Sequence, residues 1–171
     1  MVATAVRRVI ALDGPSGSGK TVLAAELAAF LRERGTAVTV IAMDDLYPGW
    51  HGLEAGVTRL VQGVLEPFAA GAPQVTLRRW DWAHDREADW AEVEVADLLI
   101  VEGVGSGARA CAPYVSLLAW VDGPEPVRRA RALARDGRTY APYWQMWAAQ
   151  EAAHFRREGT RERCQVELVV P

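Results

Sequence analysis

Gly14-Pro15-Ser16-Gly17-Ser18-Gly19-Lys20-Thr21 is the stretch on which the reading of this chain turns. It fits the pattern G-x-x-x-x-G-K-[ST]. In that pattern a glycine-rich turn brings backbone N–H groups around phosphate oxygens, the lysine reaches the terminal phosphates, and the Ser/Thr hydroxyl faces Mg²⁺. Lys20 is also the only lysine, since the chain's Lys and Arg total nineteen and every other one is arginine. A compact ammonium suits such a turn in a way that a planar guanidinium does not.

The flanks supply the matching context. Val9-Ile10-Ala11-Leu12 is a short apolar run bounded by turn residues and reads as a buried strand. After Thr21, Leu23, Leu27, Phe30 and Leu31 recur at helical spacing, and Gly35 stands where a helix commonly ends. Strand, glycine turn and helix N-terminus together make an anion site, with Gly14, Pro15, Ser16, Gly17, Ser18, Gly19, Lys20 and Thr21 as the nucleotide-binding residues.

Composition narrows the class. At 171 residues, half of them apolar, residues 1–171 suit one domain with a real core. A net charge of −3 leaves no general basic footprint for nucleic acid or a membrane surface. Cys111 and Cys164 lie far apart without metal-ligand neighbours and read as reduced thiols, which points to the cytoplasm. No apolar run approaches membrane-spanning length, and the run after Arg7-Arg8 ends at Asp13, so it is not a signal peptide.

Along the chain, strands alternate with helices. Ala37 to Met43 reads as a second strand, Val57 to Phe68 as a helix, and 75–82 as part of an extended arm spanning about 72–92. Asp97 to Gly103, with the apolar run Leu98 to Val101 inside it, reads as the central strand, and Val115 to Val121 follows. A helix from Pro124 to about Arg135, a helix from Pro142 to Arg157 and a last strand, Val166 to Val170, complete the order. This alternation implies an α/β three-layer fold with a mostly parallel five-stranded sheet, its ligands beyond the C-terminal strand ends.

Four constellations carry the chemistry. Asp44 and Asp45 close the second strand, where a carboxylate can take the proton of an attacking hydroxyl or hold Mg²⁺; strand alternation would leave only one of them facing the site. Glu102 ends the apolar strand, where the metal-organising acid of phosphate-loop proteins stands. Trp80, Trp82 and His84 alternate, so an extended arm would put all three on one face as a platform for a flat ring. Trp50 and His51 are open to the same reading or to packing. Arg128, Arg131 and Arg135 form one helical stripe able to close over phosphates, and a solvated basic face explains them as well.

In this order, these blocks resemble the uridine kinase and nicotinamide riboside kinase group of phosphate-loop small-molecule kinases. Asp13 through Thr21 is similar to the group's loop, and Asp44-Asp45-Leu46-Tyr47 to its Asp-x-Phe-Tyr block. Trp80-Asp81-Trp82-Ala83-His84 is similar to its nucleoside-holding segment, and Leu99 to Gly103 to its acidic strand. The helix Arg128 to Arg138 resembles its lid, placed at about 124–140. The resemblance implies ATP and Mg²⁺ as cofactors, with Lys20, Asp44, Arg131 and Arg135 catalytic and Asp44 the general base. It implies metal binding by Thr21, Glu102 and Asp44, and substrate binding by Asp45, Tyr47, Trp80, Trp82, His84 and Arg128. Leu46 for an aromatic, Trp80 for a tyrosine and the glycine-rich 104–109 depart from the group and bear on the acceptor.

The expected activity is ATP-dependent phosphorylation of a hydroxyl on a small metabolite, a nucleoside before others. A non-nucleoside acceptor such as a sugar acid, or a nucleotide-driven switch without an acceptor, are the alternatives. The acceptor, the choice of ATP over GTP and the oligomeric state are not written in the sequence.

Overall fold

The computed structural model describes residues 6–171, apart from the side chains at 136, 138 and 139. The first five residues of the expected 1–171 domain, and the side chain of Arg138 at the end of the basic stripe, lie outside the described residues.

Five parallel strands form the sheet, in the order β2-β5-β1-β6-β7. They are β1 (Arg8–Asp13), β2 (Val38–Ala42), β5 (Leu98–Glu102), β6 (Leu117–Asp122) and β7 (Val166–Val169). Helix α1 (Lys20–Glu33) crosses from β1 to β2, and its end is closed by Gly35 at φ 81, with Gly35 N–H donating to Arg32 O and Thr36 N–H to Leu31 O. That pair is the Schellman closure, which needs a left-handed residue where the glycine stands.

The two faces of the sheet are packed differently. Beneath α1, Ala24 and Ala28 are fully buried against Leu12, Ile100 and Ala119, with Leu23, Leu27 and Leu31 at the margins. Phe30, expected on this stripe, is turned out and covered by the Arg34 guanidinium at 3.5 Å from the ring centroid. Alanines on the contact line bring the helix close to the sheet and leave no depth there for a phenyl ring. The opposite face carries the larger core, where Val9, Leu99 and Val101 meet Leu53, Leu60, Leu65 and Phe68.

That second layer begins with α2 (Leu53–Leu60), passes through a π-turn (Val61–Leu65) and ends in α3 (Glu66–Ala69). The helix expected over 57–68 is therefore interrupted. Pro67 lacks an N–H and its ring opposes the carbonyl four residues back, a conflict the wider π-turn relieves. The expected arm is a hairpin of β3 (Gln74–Asp81) and β4 (Arg86–Glu94), with Val75 and Leu77 buried in the large core.

Past β6, α4 (Glu125–Tyr140) runs further than the expected end near Arg135 and breaks at Gly137, whose φ 53 and ψ −129 are not helical. After a 3₁₀ turn (Ala141–Tyr143), α5 (Trp144–Glu158) and the short α6 (Thr160–Arg163) lead to β7. Among the described residues no helix is long and apolar enough to cross a membrane.

Register fixes the working end of the sheet. Glu102 pairs with Leu12 on one side and Ala42 on the other. The last residue of β5 therefore stands level with the start of the phosphate loop and with the turn that carries Asp44.

Candidate active site

The phosphate loop is shaped by close backbone contacts. Gly14 has φ 138 and Gly17 φ 77, and a Cβ on either would lie 2.0 Å from a carbonyl oxygen, of Val121 and of Arg128 respectively. Only glycine fits where both conformation and space exclude a side chain. Lys20 curls back over this loop. Its Nζ donates to Gly14 O at 2.7 Å, Pro15 O at 2.9 Å and Ser18 Oγ at 3.3 Å. Burial holds the Lys20 pKa below its usual range, against nearby Glu151, Asp13 and Glu102, which favour the charged form.

Asp13 anchors the loop from below. It is fully buried; Oδ1 accepts from Gly14 N (2.7 Å) and Gly105 N (3.0 Å), and Oδ2 from Gly107 N (2.9 Å). The glycine-rich 104–109 segment thus closes on a carboxylate. Burial still pushes the Asp13 pKa up.

Glu102 is buried, and its Oε1 accepts from Thr21 Oγ1 at 3.1 Å. Its pKa is raised, first by burial and then by the Asp44 carboxylate, while Lys20 opposes the shift. Two carboxylates and a hydroxyl converging here are hard oxygen donors of the kind Mg²⁺ takes.

Asp44 and Asp45 do not continue β2. They sit in a 3₁₀ turn (Met43–Asp45), so strand alternation does not apply and both face one cavity. This corrects the expectation that only one acid would be turned to the site. Asp44 alone of the pair also lines the cavity over the phosphate loop.

Two cavities meet at this point. One, of about 370 Å³, is lined by Gly17, Gly19, Lys20, Thr21, Glu102, Arg131 and Arg135 among others. Its neighbour, of about 440 Å³, is walled by Tyr47, Trp50, Trp82, Tyr140 and Trp147, with Asp44 and Asp45 at its edge. Ser16, Asp44, Arg135 and Trp147 line both. Arg135 Nη2 lies 3.7 Å from Asp44 Oδ2.

The aromatic wall is assembled from four separate parts of the chain. Trp50 stacks nearly parallel to Tyr140 and Tyr143, with centroids 5.3 and 4.6 Å away, and meets Trp82 at 4.8 Å. Tyr47 meets Trp147 edge-on at 4.9 Å while donating its hydroxyl to Val104 O, so the ring and not the phenol faces the cavity. Burial raises the Tyr47 pKa well above the ordinary value, and Asp44 adds to the shift.

The arm departs from the expected single face. Strand β3 ends at Asp81, and 82–85 form the turn, so the alternation of Trp80, Trp82 and His84 is lost after the first of them. Trp80 packs on Gly49, with Cζ2 3.3 Å from where a Cβ would stand. Trp82 reaches the cavity and donates its Nε1–H to Asp44 O at 3.1 Å. The His84 side chain is 68% exposed, with Nδ1 2.8 Å from Asp81 Oδ2. Trp80 and His84 are not among the residues lining the cavity.

Arg128 is likewise not turned to a ligand. Its guanidinium donates to Gly123 O (3.0 Å) and Ser16 O (3.1 Å) and pairs with Asp122 at 3.3 Å. It braces the loop, whereas Arg131 and Arg135, one and two turns on, line the cavity over it. Arg131 donates to Pro171 O.

Sequence reading passed over Tyr140, Trp147 and Glu151. Glu151 carried a signal all the same, as an acid standing on the helical stripe of Trp144, Trp147 and Phe155.

No protein-family model and no curated protein matches the chain. Solved structures do. A possible uridine kinase from Bacillus stearothermophilus is 26% identical, with a TM-score of 0.72 over 98% of this chain and 91% of that one. Shikimate kinase from Acinetobacter baumannii is 15% identical (TM-score 0.56, covering 96% and 84%). D-glycerate 3-kinase from Cryptococcus neoformans var. grubii is 12% identical (TM-score 0.56, covering 98% and 87%). At such identities the last two likenesses are of fold alone.

Proposed function

We propose, from the premise that this chain is a uridine kinase-like P-loop kinase of small molecules, that it transfers a phosphoryl group from ATP to a hydroxyl of a nucleoside. The observation that carries this reading is the meeting of the two cavities at Ser16, Asp44, Arg135 and Trp147. A phosphate-binding cavity continuous with a second, aromatic one is the arrangement that transfer onto a separate acceptor requires.

In this reading the amides of the Gly17–Thr21 turn and Lys20 hold the phosphates, and Lys20 exchanges the loop carbonyls for phosphate oxygens. Thr21, Glu102 and Asp44 would hold Mg²⁺, which would neutralise charge that develops on the phosphoryl group. Asp44 accepts the acceptor hydroxyl's proton, as the one acid shared by both cavities. Arg131 and Arg135 close over the phosphoryl group from α4, with the break at Gly137 as the hinge of a lid over about 124–140. Residues 1–171 act as one kinase domain, in the cytoplasm, with the 72–92 arm delivering Trp82.

The acceptor class follows from the walls. Aromatic rings suit a flat base by stacking, and Asp44 and Asp45 suit hydroxyl groups by accepting their hydrogen bonds. An acidic acceptor would meet these two carboxylates, and Arg135, the cation lining this cavity among the described residues, lies beside Asp44.

The test is incubation of the chain with ATP and Mg²⁺ against two panels, nucleosides and sugar acids, followed by mass spectrometry for the gain of one phosphate. Phosphorylated nucleosides are expected. Phosphorylation confined to sugar acids would overturn the acceptor class. ATP hydrolysis without a phosphorylated product from either panel would favour a nucleotide-driven switch.

A further inference from the structure

Glu151 is 4% exposed on α5, and the transfer chemistry above gives it no role. Its Oε1 accepts from the Ser16 amide at 3.0 Å, from Trp147 Nε1 at 2.7 Å and from the Ser16 hydroxyl. Trp147 Nε1 also lies 3.1 Å from Ser16 Oγ. Arg128 holds the Ser16 carbonyl from the other side. Ser16 is therefore fixed at amide, hydroxyl and carbonyl by residues of α4 and α5.

A buried carboxylate is costly unless its hydrogen bonds are made, and one oxygen gathering several donors sets their directions strongly. What these donors share is location. Ser16 and Trp147 are two of the four residues that line both cavities. Glu151 itself lines neither cavity, so its influence on a ligand passes through them.

We infer that Glu151 is a positioning residue for phosphoryl transfer: by fixing Ser16 and Trp147 to each other, it sets the phosphate loop and the acceptor wall as one rigid piece where donor and acceptor meet. This rests on the phosphotransferase reading. Misplacing reacting groups by about 1 Å costs on the order of 10²-fold in rate, so a loosened Ser16–Trp147 joint should be felt in turnover.

The test uses the full chain with Glu151→Ala and Glu151→Gln. The glutamine carbonyl can take the place of Oε1 and serve the same donors without the charge. Expected is a fall in kcat of about 10²-fold for the alanine variant, and recovery by glutamine to within about fivefold of wild type. A merely structural role lowers the melting temperature of both variants and leaves kcat per folded molecule unchanged; that result overturns the inference. Equal loss of kcat in both variants overturns it too. Should the alanine variant not fold, Glu151→Asp carries the same test, because it keeps the charge but withdraws the oxygen by one methylene.

A second readout is independent of turnover. Affinity for Mg²⁺ with a non-hydrolysable ATP analogue, followed by tryptophan fluorescence, should weaken about tenfold in the alanine variant and return with glutamine. Unchanged affinity and unchanged Trp147 emission in the alanine variant would overturn the inference. If the wild-type chain binds the analogue yet phosphorylates nothing, the transfer reading fails, while this readout still decides whether Glu151 positions the loop.

Discussion

Replacing Asp13 with asparagine tests the link between the phosphate loop and the glycine-rich segment after β5. The carboxylate serves three backbone amides, of Gly14, Gly105 and Gly107. An asparagine oxygen can keep the Gly14 and Gly105 donors, but its NH₂ then faces the Gly107 N–H across 2.9 Å, donor against donor. One charge-assisted bond is lost and one buried amide is orphaned, each costing about 1–3 kcal/mol. Removing a charge that burial disfavours returns part of this, leaving a net loss of about 2 kcal/mol. For a chain of this size that is a fall in melting temperature of roughly 4–8 °C. The assay is thermal unfolding by circular dichroism, with and without Mg²⁺-ATP. Nucleotide should stabilise the variant less than the wild type, because an uncharged oxygen holds the Gly14 amide at the start of the loop more weakly than the carboxylate does. A melting temperature within about 1 °C of wild type would refute the reasoning, since it would mean that the Gly107 amide had found another partner at little cost.

Asp44→Asn should lower kcat by roughly 10²–10⁴-fold with little change in melting temperature, because the group is exposed at the cavity edge. Near-full activity on an identified acceptor would remove Asp44 as the base. Trp82→Ala should raise the acceptor KM about tenfold or more, and His84→Ala should leave it within about twofold, since only the first ring lines the cavity; steady-state kinetics on the phosphorylated acceptor decides it. Stability should also depend on pH in two directions. Burial raises the pKa of Asp13, Glu102 and Glu151, so the folded chain holds those protons more tightly than the unfolded one. The melting temperature of the ligand-free chain should then rise as pH falls from about 8 towards 5. Below about pH 4.5 it should fall, as Glu54 and Glu87, held low by arginine hydrogen bonds against partial burial, become protonated. A calorimetric series with a flat profile between pH 8 and 5.5 would contradict the first half.

Much of the architecture was legible in advance because it follows from local rules. The phosphate loop, α1, Gly35 and the acidic end of β5 need only strand and helix periodicity and a glycine pattern, and each stands where expected. The readings that failed had extended a local rule across a place where the backbone changes state. Alternation from Trp80 to His84 assumed a strand beyond Asp81, where the hairpin turns. Alternation at Asp44 and Asp45 assumed β2 continued, where a 3₁₀ turn begins. Helical spacing grouped Arg128 with Arg131 and Arg135, yet α4 leaves Arg128 over Gly123 and Ser16 and only the next two over the cavity.

The aromatic wall of the second cavity shows the limit most plainly. Trp50, Trp82, Tyr140 and Trp147 come from a loop, a hairpin tip, a helix end and a second helix, and no local spacing relates them. Glu151 reaches Ser16 across 135 positions of sequence.

By itself the sequence determined the turn proposed to hold phosphate, because Gly14 to Thr21 is one contiguous stretch whose glycines and single lysine answer to local sterics and charge. Tertiary structure decided what stands opposite that turn. The packing of α4, α5 and the hairpin onto the sheet brings the aromatic rings and Asp44 to one cavity and Glu151 to Ser16, and burial raises the Glu151 pKa. Contacts between distant segments are fixed by the summed packing of the whole core, and a sequence pattern carries no record of that sum.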